Sequence, residues 1–409
     1  MPVAVRTPVS DSTVKQDPKL KIALLMASAF LSVCPSVAWA QSGVRQAVDA
    51  VIRPLMRKEG IPGMAVGIVV AGHARVFDFG VASLRTRVAV KPDTLFEIGS
   101  ASKTLTATLA SYAVVTGHMS LSDPVSHYFP SLRGTPFGDE VGLLNLATHT
   151  PGGMPLQVPD NVHTRAELMR YLRAWRPRYA PGTYRTYSNI GIGLLGLAAA
   201  RSLRQRFAIA MQADLLAALG LNHTFVVVPA AMRTDYAQGY TDRGRPVRMT
   251  PGCLWQEAYG IRTTAGDLVR FLEINMGIIR VNPVVQRAAF DTHSAYFTAG
   301  VLTQDLIWEQ YRFPVTLARL LAGNAPAMLF DAVPARALRP PLAPEANAWL
   351  NKTGSTRGFS TYVAFIPARK LAVVLLANKN YPIRDRVTAG YRIMTALLQR
   401  TESDAGGRP

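Results

Sequence analysis

The chain has 409 residues, 49% of them hydrophobic and only 17% charged, with 31 glycines and 28 prolines. That balance supports a sizeable folded core and excludes disordered, collagen-like and coiled-coil chains. Lys and Arg outnumber Asp and Glu by 45 to 26, a net charge of +19, and two cysteines are too few for a disulfide scaffold.

Residues 1–40 have the plan of a secretory signal. A polar lead carries Arg6, Lys15, Lys19 and Lys21, Ile22 to Val33 is an apolar run, and Ala38-Trp39-Ala40 supplies small residues for cleavage after Ala40. The run is too short for a permanent membrane span, which needs about 20 residues. No later segment reads as transmembrane, so no stable membrane insertion is expected after cleavage, and the expected location is the periplasm. Cleavage leaves Cys253 as the only cysteine, with no internal disulfide.

Val44 to Lys58 reads as an amphipathic helix ended by Gly60 and Pro62. Gly63 to Val70 and Ala74 to Val81 read as a hairpin turning at Gly72-His73. A helix opens at Ser100 and runs to about Val115. Helical patterns dominate the middle, including Thr164 to Trp175, where Thr164 and Glu167 form a capping box. Thr361 to Pro367 and Leu371 to Lys379 read as paired strands, followed by a helix from about Arg384 to Arg400. Residues 312–346 carry no clear pattern. The expectation is an α/β (α+β) chain: 41–118 and 325–409 form one sheet domain built from both ends, and 119–324 a mostly helical insertion.

The 36 arginines are spread along the chain, with one modest cluster at Arg165, Arg170, Arg173, Arg176 and Arg178, and no nucleic-acid-binding motif accompanies them. A solvated basic surface is the expectation, and nucleic acid is not an expected partner. Seven scattered histidines show no metal-ligand spacing, so neither metal nor other cofactor is expected. Gly191 to Gly196 matches G-x-G-x-x-G but follows no strand. It is read as small residues for helix packing rather than a dinucleotide site.

The informative element is Ser100-Ala101-Ser102-Lys103. Residues three apart share a helix face, about 5–6 Å between Cβ atoms, so the Lys103 amine can reach the Ser100 hydroxyl. Tyr187-Ser188-Asn189 and Lys352-Thr353-Gly354 supply a phenol, an amide and a second amine. This set suits acyl transfer by a serine without a histidine base. Only nine lysines stand against the 36 arginines, and two of them occupy these motifs. Proton transfer needs an amine whose pKa can fall, which arginine cannot provide.

The runs FEIGSASKTLTA, GGMPLQVPD, YSN, EAYG, KTGSTRGFSTYVAFIP and LANKNYP, in that order, resemble class C β-lactamases, serine cephalosporinases of the bacterial periplasm. The likeness spans essentially the whole mature chain. It implies the serine β-lactamase/DD-peptidase fold, an antiparallel sheet flanked by helices plus a helical domain, with the cleft between. It also implies Ser100 as the nucleophile and the backbone N–H groups of Ser100 and Ser355 as the oxyanion hole. Lys103 and Tyr187 would share the proton transfers, with Lys352 close by. Gln157 and Asn189 would hold the substrate's side-chain amide. Lys352, Thr353, Asn380 and Arg386 would surround its carboxylate, and Tyr259 would line the cleft.

Three features depart from the family pattern. Ile383 follows Tyr381-Pro382 where some relatives carry asparagine, Cys253 and Trp255 sit where smaller or polar residues are expected, and 312–346 lacks familiar wording apart from Asn324 as a possible polar edge. Free tyrosine titrates near ~10 and lysine near ~10.4. Bringing the phenol to ~7 needs about 4 kcal/mol, and a Lys103–Tyr187 pair is the expected base without a choice between them. The expected function is β-lactam hydrolysis by a monomer, cephalosporins preferred. The alternatives are a DD-peptidase or esterase of the same fold, or a sensor that acylates and stops.

Overall fold

The computed structural model describes residues 1–4 and 35–406. The charged lead and apolar run expected of a signal fall within 5–34, outside the described residues. By its internal contacts the chain divides into Met1–Gly43 and Val44–Pro409. All that follows concerns the second unit.

A ten-stranded sheet runs in the order His73–Gly80, Gly63–Val70, Leu371–Ala377, Ser360–Ile366, Ala348–Ser355, Glu309–Arg312, Leu302–Gln304, Ala295–Ala299, Val333–Leu342, Tyr184–Arg185. Every pairing in it is antiparallel. The N-terminal hairpin turns at Ala71 (φ 51°) and Gly72 (φ 81°). Two successive positive φ values match the right-handed twist of the strands they join.

The central strands are apolar without alternation because both faces are covered. One face carries Met64, Val66, Ile68, Tyr362, Ala364, Val373 and Leu375. It packs on Val44, Val48 and Ile52 of helix Pro35–Glu59 and on Val387, Ile393 and Leu397 of helix Ile383–Gly406. The other face carries Ala65, Val69, Val363, Phe365, Val374 and Leu376, in one core with Leu268, Val269 and Leu272 of helix Ala265–Asn275. Gly67 is part of that fit, since a Cβ there would lie 2.3 Å from the Val269 side chain.

Helix Ser102–Val115 is buried on almost every side. It packs on helices Asn189–Ser202, Pro283–Asp291 and Trp255–Tyr259. Its threonines are tolerated because their hydroxyls bond to backbone carbonyls: Thr104 to Ala101 O, Thr108 to Thr104 O, Thr106 to Glu257 O. The glycine-rich run lies inside helix Asn189–Ser202, where Gly193 abuts Leu254, and Gly196 abuts Thr106 and Glu257. That is the packing role expected of it. The Thr164–Glu167 capping box is also present, each side chain accepting from the other's backbone N–H.

Within 119–324, expected to be mostly helical, Ala295–Ala299, Leu302–Gln304 and Glu309–Arg312 are inner strands of the sheet, and Ala265–Asn275 packs on it. These strands are too short for a clear two-residue alternation. The unpatterned stretch after Arg312 becomes helices Leu317–Gly323 and Pro326–Phe330 and the strand Val333–Leu342, whose burial is irregular.

Gly67→Ala should lower the unfolding free energy by about 1–3 kcal/mol through overpacking. Val269→Ala in the same chain should recover part of that loss. Denaturant melts of the single and double variants check both, and an unchanged midpoint for Gly67→Ala would show that the sheet–helix spacing is not set there.

Candidate active site

The site begins with a contact between two stretches of backbone. The 3-10 turn Gly99–Ala101 lies against the end of strand Ala348–Ser355. A Cβ on Gly99 would sit 2.4 Å from Ser355 O, and one on Gly354 would sit 1.9 Å from Ile98 O. Gly99 also has φ +51°, a conformation that L side chains rarely adopt. Glycine at both positions therefore allows Ser100, Lys352 and Ser355 to meet.

Ser100 belongs to this turn, two residues before helix Ser102–Val115, rather than opening the helix itself. Lys103, in the first turn of that helix, donates to Ser100 Oγ at 2.9 Å and to Ala258 O at 2.7 Å. It is fully buried, and burial, reinforced by the nearby Lys352 charge, lowers its amine to about 8 against the opposing pull of Tyr187. Tyr187 precedes Ser188, the N-cap of helix Asn189–Ser202. Its ring centroid lies 5.3 Å from Lys103 Nζ and 5.1 Å from Lys352 Nζ. Burial alone would push the phenol up, but the two ammonium groups and the Ser100 hydroxyl outweigh it and bring it to about 8.

Behind the phenol stands an ionic chain that sequence reasoning did not anticipate. Lys352 Nζ is 3.6 Å from Glu309 Oε1, and Arg185 Nη2 is 3.1 Å from the same oxygen. Arg185 also donates to Gln304 Oε1 and Met328 O, both at 2.7 Å. All three charged side chains are buried. Burial works against the Lys352 ammonium, but Glu309 and Tyr187 raise its pKa on balance, so Lys352 stays charged while Lys103 can lose its proton. The only hint in the sequence is a charged residue amid the buried pattern Trp308-Glu309-Gln310-Tyr311.

A cavity of about 190 Å³ opens beside these groups, lined by Ser100, Gln157, Tyr187, Asn189, Lys352, Thr353 and Ser355 among the expected residues, and also by Arg185, Glu309 and Asn324. Met328, Leu329 and Ile383 give it an apolar flank. Asn189 N–H donates to Leu156 O at 2.8 Å, which ties the Gln157 loop to the Tyr187 segment. The Asn189 Oδ1 atom is buried without a partner.

Three expected residues lie elsewhere. Arg386 is buried behind the strand, donating to Gly354 O at 2.6 Å, to Ser355 Oγ at 2.9 Å and to Tyr381 O. Its donors face the protein, so it shapes the Ser355 end of the cavity rather than lining it. Asn380 is outside the lining, its backbone N–H bonded to Tyr240 O at 3.0 Å. Tyr259 ends helix Trp255–Tyr259 and packs against the core instead of lining the cavity. Both fall within runs that carry the resemblance, and a run of letters does not fix where a side chain ends. Among the described residues no group of three or more His, Cys, Asp or Glu could hold a metal.

Glu309→Gln should lower the Tyr187 midpoint below about 8, because the carboxylate raises it in the present arrangement. Leaving Arg185 without its anion should also cost up to about 3–5 kcal/mol of stability. An ultraviolet titration of the phenolate, with Tyr187→Phe as the blank, reads the first, and a denaturant melt reads the second. A midpoint that stays put or rises would contradict this charge arrangement.

The Beta-lactamase family model matches residues 48–398. A beta-lactamase of Lysobacter lactamgenus is 47% identical over 355 residues, 87% of this chain and 92% of that protein. A solved D-alanine carboxypeptidase of Burkholderia cenocepacia is 58% identical with a TM-score of 0.84, covering 87% of this chain and 99% of that one. A class C beta-lactamase solved in complex with cefoxitin is 46% identical with a TM-score of 0.85 over the same shares. The antiparallel sheet with its helical layers is thus the serine β-lactamase/DD-peptidase fold, and this chain belongs to the beta-lactamase family.

Proposed function

We propose that this protein hydrolyses β-lactams, cephalosporins by preference, through an acyl-enzyme on Ser100. The observation that carries the reading is a serine hydroxyl 2.9 Å from a buried amine, with that amine and the adjacent phenol both brought to about 8. Two groups so matched, near the operating pH, can pass one proton between them.

Ser100 Oγ attacks the lactam carbonyl carbon, and its proton passes to the Lys103–Tyr187 pair. The backbone N–H groups of Ser100 and Ser355 receive the oxyanion. The close approach at Gly99 and Gly354 supports that pairing, and losing one such donor typically costs ~10²–10³ in rate. The lactam C–N bond then breaks, and the proton moves from the pair to the departing nitrogen. Water attacks the ester with the same pair as base, which frees the product and restores Ser100. Lys352 and Thr353 hold the substrate carboxylate, with Arg386 acting from behind through its bonds to Gly354 O and Ser355 Oγ and Asn380 outside the cavity. Gln157 and Asn189 hold the side-chain amide, and the unpartnered Asn189 Oδ1 supports its share of that role. Tyr259 borders the site beyond the cavity.

The enzyme acts as a monomer in the periplasm after removal of residues 1–40. The signal-like composition of that segment supports the location, and no helix among the described residues is long and apolar enough to cross a membrane. A second reading, D-alanine carboxypeptidase activity, is favoured by the Burkholderia cenocepacia relative.

Purified protein given a chromogenic cephalosporin should complete many turnovers per molecule. A single stoichiometric burst would reject hydrolysis in favour of a sensor, and turnover confined to D-Ala-D-Ala peptides would favour the second reading. Ser100→Ala should abolish turnover with the melting curve unchanged. Tyr187→Phe should lose on the order of 10²–10⁴ in kcat, the usual worth of a positioned acid–base group. Full activity in either variant would overturn the role given to that residue.

A further inference from the structure

Tyr187 poses a problem of aim. Its buried hydroxyl interacts with Ser100 and the two lysines, yet none of these contacts has regular hydrogen-bond geometry, so they alone do not fix its direction. The ring must be held from its backbone and its faces. One residue outside the catalytic motifs supplies both holds.

His149 lies on the loop after helix Leu143–Ala147, buried, with φ +60°. A left-handed histidine backbone persists only where its surroundings impose it, and such residues gather at functional sites. Here Thr148 N–H donates to Leu144 O at 3.0 Å, Thr150 N–H to Asn145 O at 2.8 Å, and the Thr148 and Thr150 hydroxyls meet at 2.9 Å. Thus held, His149 grips the Tyr187 segment on both sides. Its carbonyl accepts from Thr186 N–H at 2.8 Å, and its Nδ1 accepts from Ser188 N–H at 3.2 Å. Its ring lies against the Tyr187 ring, with centroids 4.3 Å apart.

We propose that His149 is a positioning residue for Tyr187, clamping the N–H groups on either side of it and bracing its ring so that the phenol is aimed at Ser100 and the two lysines before substrate arrives. This rests on the acyl-enzyme reading above and adds to it a residue that does not itself exchange a proton. An Nδ1 that accepts from a backbone N–H carries no hydrogen, so the imidazole is the neutral Nε2–H tautomer. Burial, then the charges of Arg185, Lys103 and Lys352, keeps it neutral well below the usual histidine range. The Tyr187 ring lies tilted against it at 37°, and no carboxylate is among the groups that shift it. Protonation would set two donors face to face at Ser188 and add a cation beside a crowded set.

Two variants separate clamp from brace. His149→Phe keeps an aromatic face and loses the acceptor; His149→Asn keeps an acceptor and tolerates the left-handed backbone. Both replacements are neutral, as the native ring is, so a changed pH profile reports displacement of the phenol rather than a lost charge. His149→Phe should lower kcat for a chromogenic cephalosporin by roughly 10–100-fold, the scale of a misaimed catalytic group. KM should change far less, and the acid limb of kcat/KM should move to higher pH as Tyr187 drifts from the ammonium groups. His149→Asn should recover most of kcat and the native limb. If both variants keep the native kcat and profile, or both lose activity in step with melting temperature while the profile stays fixed, the proposal fails. Wild-type protein in the same assay keeps the two readings apart. If it does not turn over the substrate, the hydrolytic reading fails, and the same comparison is then made on the rate at which a fluorescent penicillin labels Ser100.

Discussion

The close approach of Gly99 to Ser355 and of Gly354 to Ile98 is the constraint on which the rest of the site depends. Two backbones can come this near only where neither carries a Cβ, because a methyl group at either position would overlap main-chain atoms that belong to regular structure and cannot swing aside. The sheet supplies one partner of the contact and the helical layer the other. Ser100 rides on the turn and Lys352 on the strand. The backbones that carry the nucleophile and the second lysine are thus held at one separation.

Around that contact the charges are unequal. Arg185, Lys103 and Lys352 gather near one phenol, and Glu309 is the carboxylate that faces them. Glu309 touches Arg185 and Lys352, which anchors the positive charge of the second lysine. Lys103 instead bonds to a serine and a carbonyl, neither of which is an anion. The asymmetry divides the labour: one lysine keeps its proton as a fixed charge, and the other sits with Tyr187 near the point of release. Both values follow from burial acting against neighbours, so the pair titrates as a unit and the question of which atom is the base has no single-residue answer.

Much of this was legible in the sequence, and the exceptions have a physical pattern. The hairpin, the capping box, the packing role of the glycine-rich run and the three motifs bearing Ser100, Tyr187 and Lys352 are each encoded within a few consecutive residues, where spacing reports geometry. Arg185 and Glu309 pair across 124 residues, and His149 reaches Ser188 across 39 from a loop, and no local period records such pairings. Tyr259 and Asn380 show the reverse case, each in a recognisable run yet outside the cavity lining, and Arg386 spends its donors on Gly354, Ser355 and Tyr381 instead of opening to the cavity. The strands between 295 and 312 escaped notice because three to five residues cannot establish an alternation.

The order of strands has a bearing on synthesis. The hairpin Gly63–Val70 and His73–Gly80 is joined to the sheet by Leu371–Ala377 alone, and Asn378 staples the junction by accepting from Gly63 N–H and donating to Val81 O and Ala82 O. Helix Pro35–Glu59 packs on a face to which the final helix also contributes. A ribosome must therefore finish nearly the whole polypeptide before the hairpin can join the sheet. Until then the hairpin has no third strand to cover it, and a truncation near the end would leave it an open edge.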